Sequence, residues 1–265
     1  MIHAAYAQLK LRTSMIKIPI ISGRTRFGDI IAEFWLSEKP TGRIVIICDG
    51  APGLRSKKEL AKFFTRKGYS VFQMRYRGTW ESDGEFLKQS PADDVDDVIR
   101  GIQKGFLDLW TGVVYYLDLR EVVVVGASFG GPAAILATRN PMVVKAIAIA
   151  SIIDWSVATK QEPFAEFVRQ ITQGFPGAYR CPKKNFKKLL TKKFYNPVDW
   201  ADALDGKKLF LIHARDDQSV PYMPTKKFAK KIGATYVEYA SGGHLGSAFI
   251  MQREIWKKIQ QFISY

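Results

Sequence analysis

The sequence contains few cysteines and histidines and no long apolar run. Cys48 and Cys181 are the two cysteines among 265 residues, and three histidines are present. Two cysteines cannot build a disulfide framework and are not spaced as metal ligands, so we expect a reduced, cytoplasmic protein without a metal site. The longest largely apolar stretch, residues 143–153, is shorter than the roughly 20 residues of a membrane-spanning helix, so we expect no membrane span. The first residues also lack the charged and apolar blocks of a signal peptide.

Acidic residues are scarce relative to basic ones. The chain carries 25 Asp and Glu against 40 Lys and Arg, which gives a formal net charge of +15. Residues 155–196 alone hold nine basic and two acidic residues. Such an excess is typical of proteins that bind nucleic acids, anionic membranes or acidic substrates, but also of a plain solvated surface. No nucleic-acid-binding motif is present and no aromatics interleave with the lysines, so we expect no nucleic-acid partner, and an anionic substrate stays open.

Short β-rich runs alternate with helical patterns along most of the chain. The predicted strands are residues 17–21, 30–36, 43–49, 70–75, 121–127, 144–151, 207–214 and 235–239. The predicted helices are residues 55–67, 91–116, 129–139, 224–231 and 249–263. The first two strands follow each other directly and should pair antiparallel, whereas the others alternate with helices and require a mostly parallel sheet. We therefore predict a single α/β domain over residues 1–265, with an eight-stranded sheet covered by helices on both faces.

One interval is too long for a simple connection between two strands. Residues 152–206 contain four prolines and at least two helical patterns, so we predict a small cap-like helical insertion there. Phe186, Leu189, Leu190 and Phe194 fall at helical spacing and should form its apolar face. The lysine pairs of the same segment should then face solvent, and they can also attract an anionic substrate by electrostatic steering.

A Gly-x-Ser-x-Gly pattern directly follows a run of four valines. Gly126, Ser128 and Gly130 form this pattern, and a helical segment begins directly after it. A serine in a tight strand-to-helix turn holds its hydroxyl clear of the backbone, and the glycines remove Cβ atoms that would collide there. The start of the helix also offers the N–H of Phe129 to a developing oxyanion. The pattern favours a nucleophilic serine, and the alternative is a structural Gly-Ser turn or one that binds phosphate.

A nucleophilic serine needs a base, and that base needs an acid to orient it. His3 lies in the terminal segment and His213 lies inside an apolar strand, where we expect a structural role. His244 is the candidate base because it lies in a glycine-rich loop between the last strand and the last helix. Asp216 and Asp217 follow the strand before it, and their position leaves both open as the acid. The order Ser, Asp, His is the one that hydrolases with this serine turn use.

These residues give the chain a clear resemblance to a known family. Over about residues 30–265 it resembles the α/β-hydrolases, in particular the branch of the dienelactone hydrolases and the prolyl-oligopeptidase catalytic domains. The resemblance implies that Ser128 is the nucleophile and His244 the base. It also implies Asp217 rather than Asp216 as the acid, because the family's aspartate stands three residues before a Val-Pro pair.

The resemblance further implies an oxyanion hole formed by two backbone N–H groups. The family's His-Gly-x-Pro-Gly turn corresponds to residues 49–53, so the N–H of Ala51 should act together with that of Phe129. Asp49 stands where the family usually has a histidine. A carboxylate near the oxyanion would oppose its charge and weaken the hole.

Such a site implies acyl transfer to water without a cofactor. We expect a serine hydrolase that cleaves a small-molecule acyl ester, as a carboxylesterase does, through an acyl-enzyme intermediate. A serine peptidase of the prolyl-oligopeptidase type is one alternative, because the fold hosts both activities. A binding module of the same fold that has lost catalysis is the other.

Overall fold

The structure is a computed structural model that describes residues 20–39, 41–53, 56–157 and 164–264. Its strands are β1 Ser22–Phe27, β2 Ile30–Trp35, β3 Arg43–Cys48, β4 Ser70–Met74, β5 Phe106–Leu107, β6 Val114–Tyr115, β7 Glu121–Ala127, β8 Val143–Ile149, β9 Leu209–Ala214 and β10 Thr235–Tyr239. Its α-helices are α1 Lys58–Thr65, α2 Pro91–Lys104, α3 Gly130–Ala137, α4 Phe164–Arg169, α5 Lys183–Phe186, α6 Tyr222–Ile232 and α7 Arg253–Ser264. Among the described helices, none is both long enough and apolar enough to cross a membrane.

Eight of the strands form one mostly parallel sheet, as predicted. Their order across the sheet is β1-β2-β4-β3-β7-β8-β9-β10. β2 pairs antiparallel with β1 and β4, and all remaining pairs are parallel. The parallel strands therefore end along one edge of the sheet, where open α/β folds carry their sites.

Helices cover both faces of the sheet because its central strands are apolar on both sides. Ile46 and Val124 face a core that includes residues of α2 and α3, while Val45 and Val123 face a core that includes residues of α1 and α7. Strands buried on both faces read as continuous apolar runs rather than alternating ones. This is the arrangement that the β-branched runs predict.

The first strand differs from the prediction. Residues 17–19 of the predicted strand lie outside the described residues, and the strand that pairs with β2 is β1, at Ser22–Phe27. Its sequence Ser-Gly-Arg-Thr-Arg-Phe alternates between exposed and buried positions, so it covers one face of the core as an edge strand does. The predicted antiparallel edge is present, and its first strand begins at Ser22 instead of residue 17.

The helix predicted over residues 91–116 is wrong in its second half. Helix α2 ends at Lys104, because Gly105 has a φ of 87° that a helix does not accommodate. The chain then forms a small hairpin of β5 and β6, and its turn is shaped by Asp108, which accepts hydrogen bonds from Trp110 N at 3.0 Å and from Thr111 Oγ1 at 2.6 Å. The apolar residues that suggested a longer helix belong to this hairpin.

The segment between β8 and β9 holds several short helices, and its stretch 186–194 is not one continuous amphipathic helix. Phe186 and Leu189 are buried as predicted, but Leu190 is 54% exposed. The reason is that α5 tightens at Lys187 into a 3₁₀ turn, in which the fourth residue along no longer returns to the same face. Phe194 packs partly buried against the core.

The hairpin provides a matched pair of substitutions that tests this fold. Phe106 is 3% exposed and its ring lies 5.1 Å from Phe34 and 5.2 Å from Phe72, whereas the adjacent Leu107 is 44% exposed. We predict that Phe106→Ala lowers the free energy of unfolding by about 3–5 kcal/mol, since it opens a cavity. Leu107→Ala should change it by less than about 0.5 kcal/mol. Denaturant unfolding of both variants measures this, and equal losses would contradict the hairpin.

Candidate active site

Ser128 lies in a sharp turn between β7 and α3. Its φ is +54°, in the left-handed region that is uncommon for any residue with a Cβ. Its N–H donates to the carbonyl of Ile149 at 2.9 Å, and its own carbonyl accepts from the N–H of Gly131 at 3.0 Å. These bonds hold the strained residue on both sides, as expected where the surrounding structure imposes an unusual backbone conformation.

The two glycines of the motif allow this turn to close. A Cβ on Gly126 would lie 2.0 Å from the carbonyl oxygen of Gly130, and a Cβ on Gly130 would lie 2.2 Å from that of Cys48. Tyr195, which is fully buried, braces the same turn by donating to the carbonyl of Phe129 at 2.6 Å and accepting from the N–H of Ala133 at 3.1 Å. The serine hydroxyl is therefore carried by a rigid support.

Asp217 and His244 form a hydrogen-bonded pair near this serine. Nδ1 of His244 lies 2.9 Å from Oδ2 of Asp217. Oδ1 of Asp217 accepts from the N–H groups of Ser219 and Val220, both at 2.9 Å. Burial alone would raise the pKa of Asp217, but hydrogen bonds from His213, His244 and Val220 hold that pKa well below its usual range. The carboxylate is thus ionised and fixed in direction.

Asp216 has a different place, although the sequence left it open as the acid. Its carboxylate accepts from the N–H groups of Gly242 at 3.1 Å and Gly243 at 2.8 Å. These bonds lower its pKa and anchor the loop that carries His244. Of the two aspartates, only Asp217 bonds to the imidazole itself, so the geometry favours Asp217 as the acid.

His213 is buried in β9, and sequence reasoning missed its contact with this pair. Its Nε2 lies 3.2 Å from Oδ2 of Asp217 and 3.0 Å from the carbonyl oxygen of Val220. The expected structural role in an apolar strand took no account of this contact. The signal was present in the spacing, because His213 is the second-last residue of β9 and stands four residues before Asp217.

The loop after β3 borders the cavities at Ser128 and carries the N–H of Ala51. Ala51 lines the same cavities as Ser128, and among the described residues neither its N–H nor that of Phe129 donates a hydrogen bond. The loop is held at both ends, by Tyr76 Oη donating to the carbonyl of Asp49 and by Gly53 N donating to Tyr179 Oη, each at 2.9 Å. Two free N–H groups on fixed backbone can receive a developing oxyanion.

The carboxylate of Asp49 is bound by side chains from the neighbouring strand β4 and from the residue that follows it. Its Oδ2 accepts from Gln73 Nε2 at 2.7 Å and from Arg75 Nη1 at 3.0 Å. Burial raises the pKa of Asp49, and the nearby charges of Lys57 and Arg75 oppose that rise. Gln73 and Arg75 thus stabilise the negative charge of Asp49 by hydrogen bonds, and Arg75 also balances it. The expected weakening of the oxyanion hole is therefore reduced.

Two cavities meet at Ser128. One is lined mainly by apolar side chains, among them Trp155, Phe164 and Phe167. The other is more polar and is lined by His244 together with the loop Gly50–Gly53 and nearby serines. No hydrogen bond joins Ser128 to His244 in the described part of the chain, but both side chains border this second cavity. Catalytic hydrogen bonds are often open in the free enzyme and tighten when substrate binds.

The sequence model of the prolyl oligopeptidase family matches residues 56–251 of this chain. The chain belongs to the prolyl oligopeptidase family. This membership, with the fold described above, makes the chain a serine hydrolase of the α/β-hydrolase superfamily. Ser128, Asp217 and His244 lie within the family match, while the loop Gly50–Gly53 precedes it.

Solved structures of the same fold include enzymes with different printed activities. The esterase Pf2001 of Pyrococcus furiosus superposes with a TM-score of 0.64 at 16% identity, over 93% of this chain and 90% of that one. The acylaminoacyl peptidase of Pyrococcus horikoshii superposes with a TM-score of 0.62 at 18% identity, over 92% of this chain but only 40% of that one. The α/β hydrolase GrgF of a Penicillium species gives 0.66 at 16% identity, over 93% and 98% of the two chains. At these identities the likeness shows the fold alone.

A similar sequence is found in Escherichia coli. It is an uncharacterized 31.7 kDa protein of the traX-finO intergenic region, 30% identical over 106 residues. The match covers 39% of this family member and 35% of the relative, so it spans about a third of either chain.

The close backbone approach beneath Ser128 is tested by one glycine and a matched control. Gly130→Ala would place a Cβ against backbone, which cannot move aside, whereas a Cβ on Gly174 meets nothing within 4 Å. We predict that Gly130→Ala lowers the free energy of unfolding by about 1–3 kcal/mol or more through overpacking. Gly174→Ala should be neutral to within about 0.5 kcal/mol. Chemical denaturation measures both variants. An unchanged free energy of unfolding in Gly130→Ala would mean that the turn at Ser128 is not as tightly packed as described.

Proposed function

We propose that this serine hydrolase is a carboxylesterase that uses Ser128, His244 and Asp217 as its catalytic triad. The observation that carries the proposal is the fixed pair of Asp217 and His244, 2.9 Å apart, on the same cavity as a serine with left-handed backbone. A base with a bonded acid and a serine lifted out of its turn are what nucleophilic catalysis requires.

Ser128 and His244 act in both halves of the proposed reaction. Oγ of Ser128 attacks the carbonyl carbon of the ester as Nε2 of His244 takes its proton, and the carbonyl oxygen becomes an oxyanion. When the tetrahedral intermediate collapses, the carbon–oxygen bond to the alcohol breaks and His244 gives the proton to that alcohol. Water then attacks the acyl-serine in the same way, with His244 as the base, and the carboxylic acid is released.

The N–H groups of Ala51 and Phe129 are the proposed oxyanion donors. Where such a donor has been removed from a serine hydrolase, the loss was about 2.7–4 kcal/mol of transition-state stabilisation. Asp217 keeps the proton of neutral His244 on Nδ1, which leaves Nε2 free to act as the base. The two N–H groups belong to the backbone, and the carboxylate of Asp217 is fixed by backbone N–H groups, so neither contribution requires a side chain to move first.

The apolar cavity favours an ester with an uncharged acyl group. Trp155, Phe164 and Phe167 lie where the acyl chain would extend from Ser128. Among the described residues that line this cavity, Asp154 is the one charged group, and its Oδ1 accepts from both N and Oγ of Ser156, at 2.9 and 2.6 Å. The rest of the lining is uncharged and suits an apolar acyl chain. For this reason we favour an esterase over a peptidase, which stays the second candidate.

A fluorophosphonate, which phosphonylates activated serines, tests the triad without a known substrate. We expect one phosphonyl group per chain, on Ser128, detected by intact mass and peptide mapping. Ser128→Ala should remain unlabelled, and His244→Ala should be labelled at least about a thousandfold more slowly because its serine lacks a base. Ser264→Ala, a serine of α7 away from the site, is the control and should label as the wild type does.

The outcomes separate the alternatives. No labelling between pH 6 and 9 would favour the binding module, since the serine would then be inactive. Labelling that persists in Ser128→Ala would place the nucleophile elsewhere. Labelled protein that hydrolyses short peptide amides faster than esters of the same acyl group would support the peptidase.

Selectivity for the acyl chain provides a second test, with two valines of similar exposure. Val157 lines the apolar cavity and is 43% exposed, whereas Val113 is 47% exposed in the hairpin, on another part of the surface. We predict that Val157→Trp lowers kcat/KM for hexanoyl and longer esters about tenfold, by about 1.4 kcal/mol, and leaves acetyl esters nearly unchanged. Val113→Trp should alter neither. A uniform loss across chain lengths in Val157→Trp would place the acyl group elsewhere.

A further inference from the structure

His213 lies beside the acid of the proposed triad, and the reaction steps above do not use it. Its side chain is fully buried in β9. Its Nε2 lies 3.2 Å from Oδ2 of Asp217, the same oxygen that is 2.9 Å from Nδ1 of His244. Two imidazole rings therefore share one carboxylate oxygen.

The contacts of His213 determine which of its ring nitrogens carries a proton. Besides Asp217, Nε2 faces the carbonyl oxygen of Val220 at 3.0 Å. A carboxylate and a carbonyl can only accept hydrogen bonds, so Nε2 must be the donor. Nδ1 lies 3.0 Å from Oγ1 of Thr225, whose single hydroxyl proton can be donated either to Nδ1 or to the carbonyl oxygen of Ser151 at 3.3 Å. With the hydroxyl donating to the nearer Nδ1, the neutral ring with its proton on Nε2 satisfies all three contacts.

Asp217 does not need His213 to keep its orientation. Its other oxygen, Oδ1, is held by the N–H groups of Ser219 and Val220, both at 2.9 Å. The contribution of His213 is therefore made at Oδ2 alone. A donor there stabilises the negative charge on Oδ2, an oxygen for which His244 would otherwise be the one side-chain donor among the described residues.

We propose that His213 is a positioning residue that tunes the catalytic base: its N–H on Oδ2 of Asp217 limits how strongly that carboxylate stabilises protonated His244. The inference rests on the proposed function, in which His244 must accept a proton and release it again near neutral pH. Without the donor, Asp217 would bind the imidazolium more strongly, and His244 would stay protonated, and inactive as a base, to higher pH.

Nearby charged groups in the described part of the chain have partners of their own. Lys57, on the same cavity as His244, lies 3.9 Å from Asp49. Asp216 is bound by two backbone N–H groups of the loop that carries His244. Glu238, next to His213 in the sheet, pairs with Lys226 at 3.1 Å and Arg215 at 3.6 Å. Helix α6 presents a neutral hydroxyl to the ring. A change in the titration of His244 on substitution of His213 therefore reports on the shared carboxylate.

The test is an NMR titration of the imidazole groups in the 265-residue chain, whose three histidines give few signals. In the wild type we expect the neutral Nε2–H form for His213. In His213→Leu we expect the pKa of His244 to rise by about half a unit to one unit, because the competing donor is gone. His213→Gln can place an amide N–H near the former Nε2 and should restore the wild-type titration.

The rate of fluorophosphonate labelling gives a second readout, since it follows the neutral fraction of His244. Its acid limb should move to higher pH in His213→Leu and stay in place in His213→Gln. An unchanged or lowered pKa of His244 in the Leu variant would overturn the inference, as would an Nδ1–H form of His213 in the wild type. If the Leu variant does not fold, the position of the His213 proton in the wild type still tests the inference. Failure of the proposed function would give a different result. The wild-type protein would then not be labelled by the fluorophosphonate, while the pKa of His244 could still be measured by NMR.

Discussion

Three backbone segments meet at the end of β7 at distances that leave no room for side chains. The Cβ positions of Gly126 and Gly130 fall 2.0 and 2.2 Å from carbonyl oxygens of the turn itself and of Cys48. The chain therefore reverses sharply between β7 and α3, and Ser128, in the middle of this turn, adopts a positive φ. The hydroxyl, the start of α3 and the loop after β3 are all positioned by this one contact, so every proposed role at the site depends on it.

The sheet order brings the remaining groups to the same place. β3, β7, β9 and β10 run parallel, so the loops that follow them all lie at one edge. One loop brings the N–H of Ala51, the next Ser128, the third Asp217 and the last His244. Residues more than 190 positions apart thus line one cavity, because the hydrogen-bonded ladder fixes where each strand ends.

Local chemistry in the sequence predicts the elements of this site better than it predicts their contacts. The turn at Ser128 could be recognised in the sequence because a tight turn requires glycine at fixed positions. The fold class followed from the alternation of strands and helices. The end of α2 could not be placed because the hairpin after Gly105 repeats an apolar pattern typical of a helix. The contact of Asp49 with Arg75, and that of His213 with Asp217, depend on neighbouring strands and loops that only the folded sheet brings together.

The most direct test of the account is a crystal structure of the fluorophosphonate-treated protein. Its phosphorus is tetrahedral and resembles the intermediate of ester hydrolysis, so it shows where the oxyanion and the acyl group lie. We predict a bond from phosphorus to Oγ of Ser128 and a phosphonyl oxygen within about 2.7–3.1 Å of the N–H groups of Ala51 and Phe129. The alkyl chain should enter the cavity lined by Trp155. A phosphonyl oxygen directed away from both N–H groups, or phosphorus bound to another residue, would contradict the account.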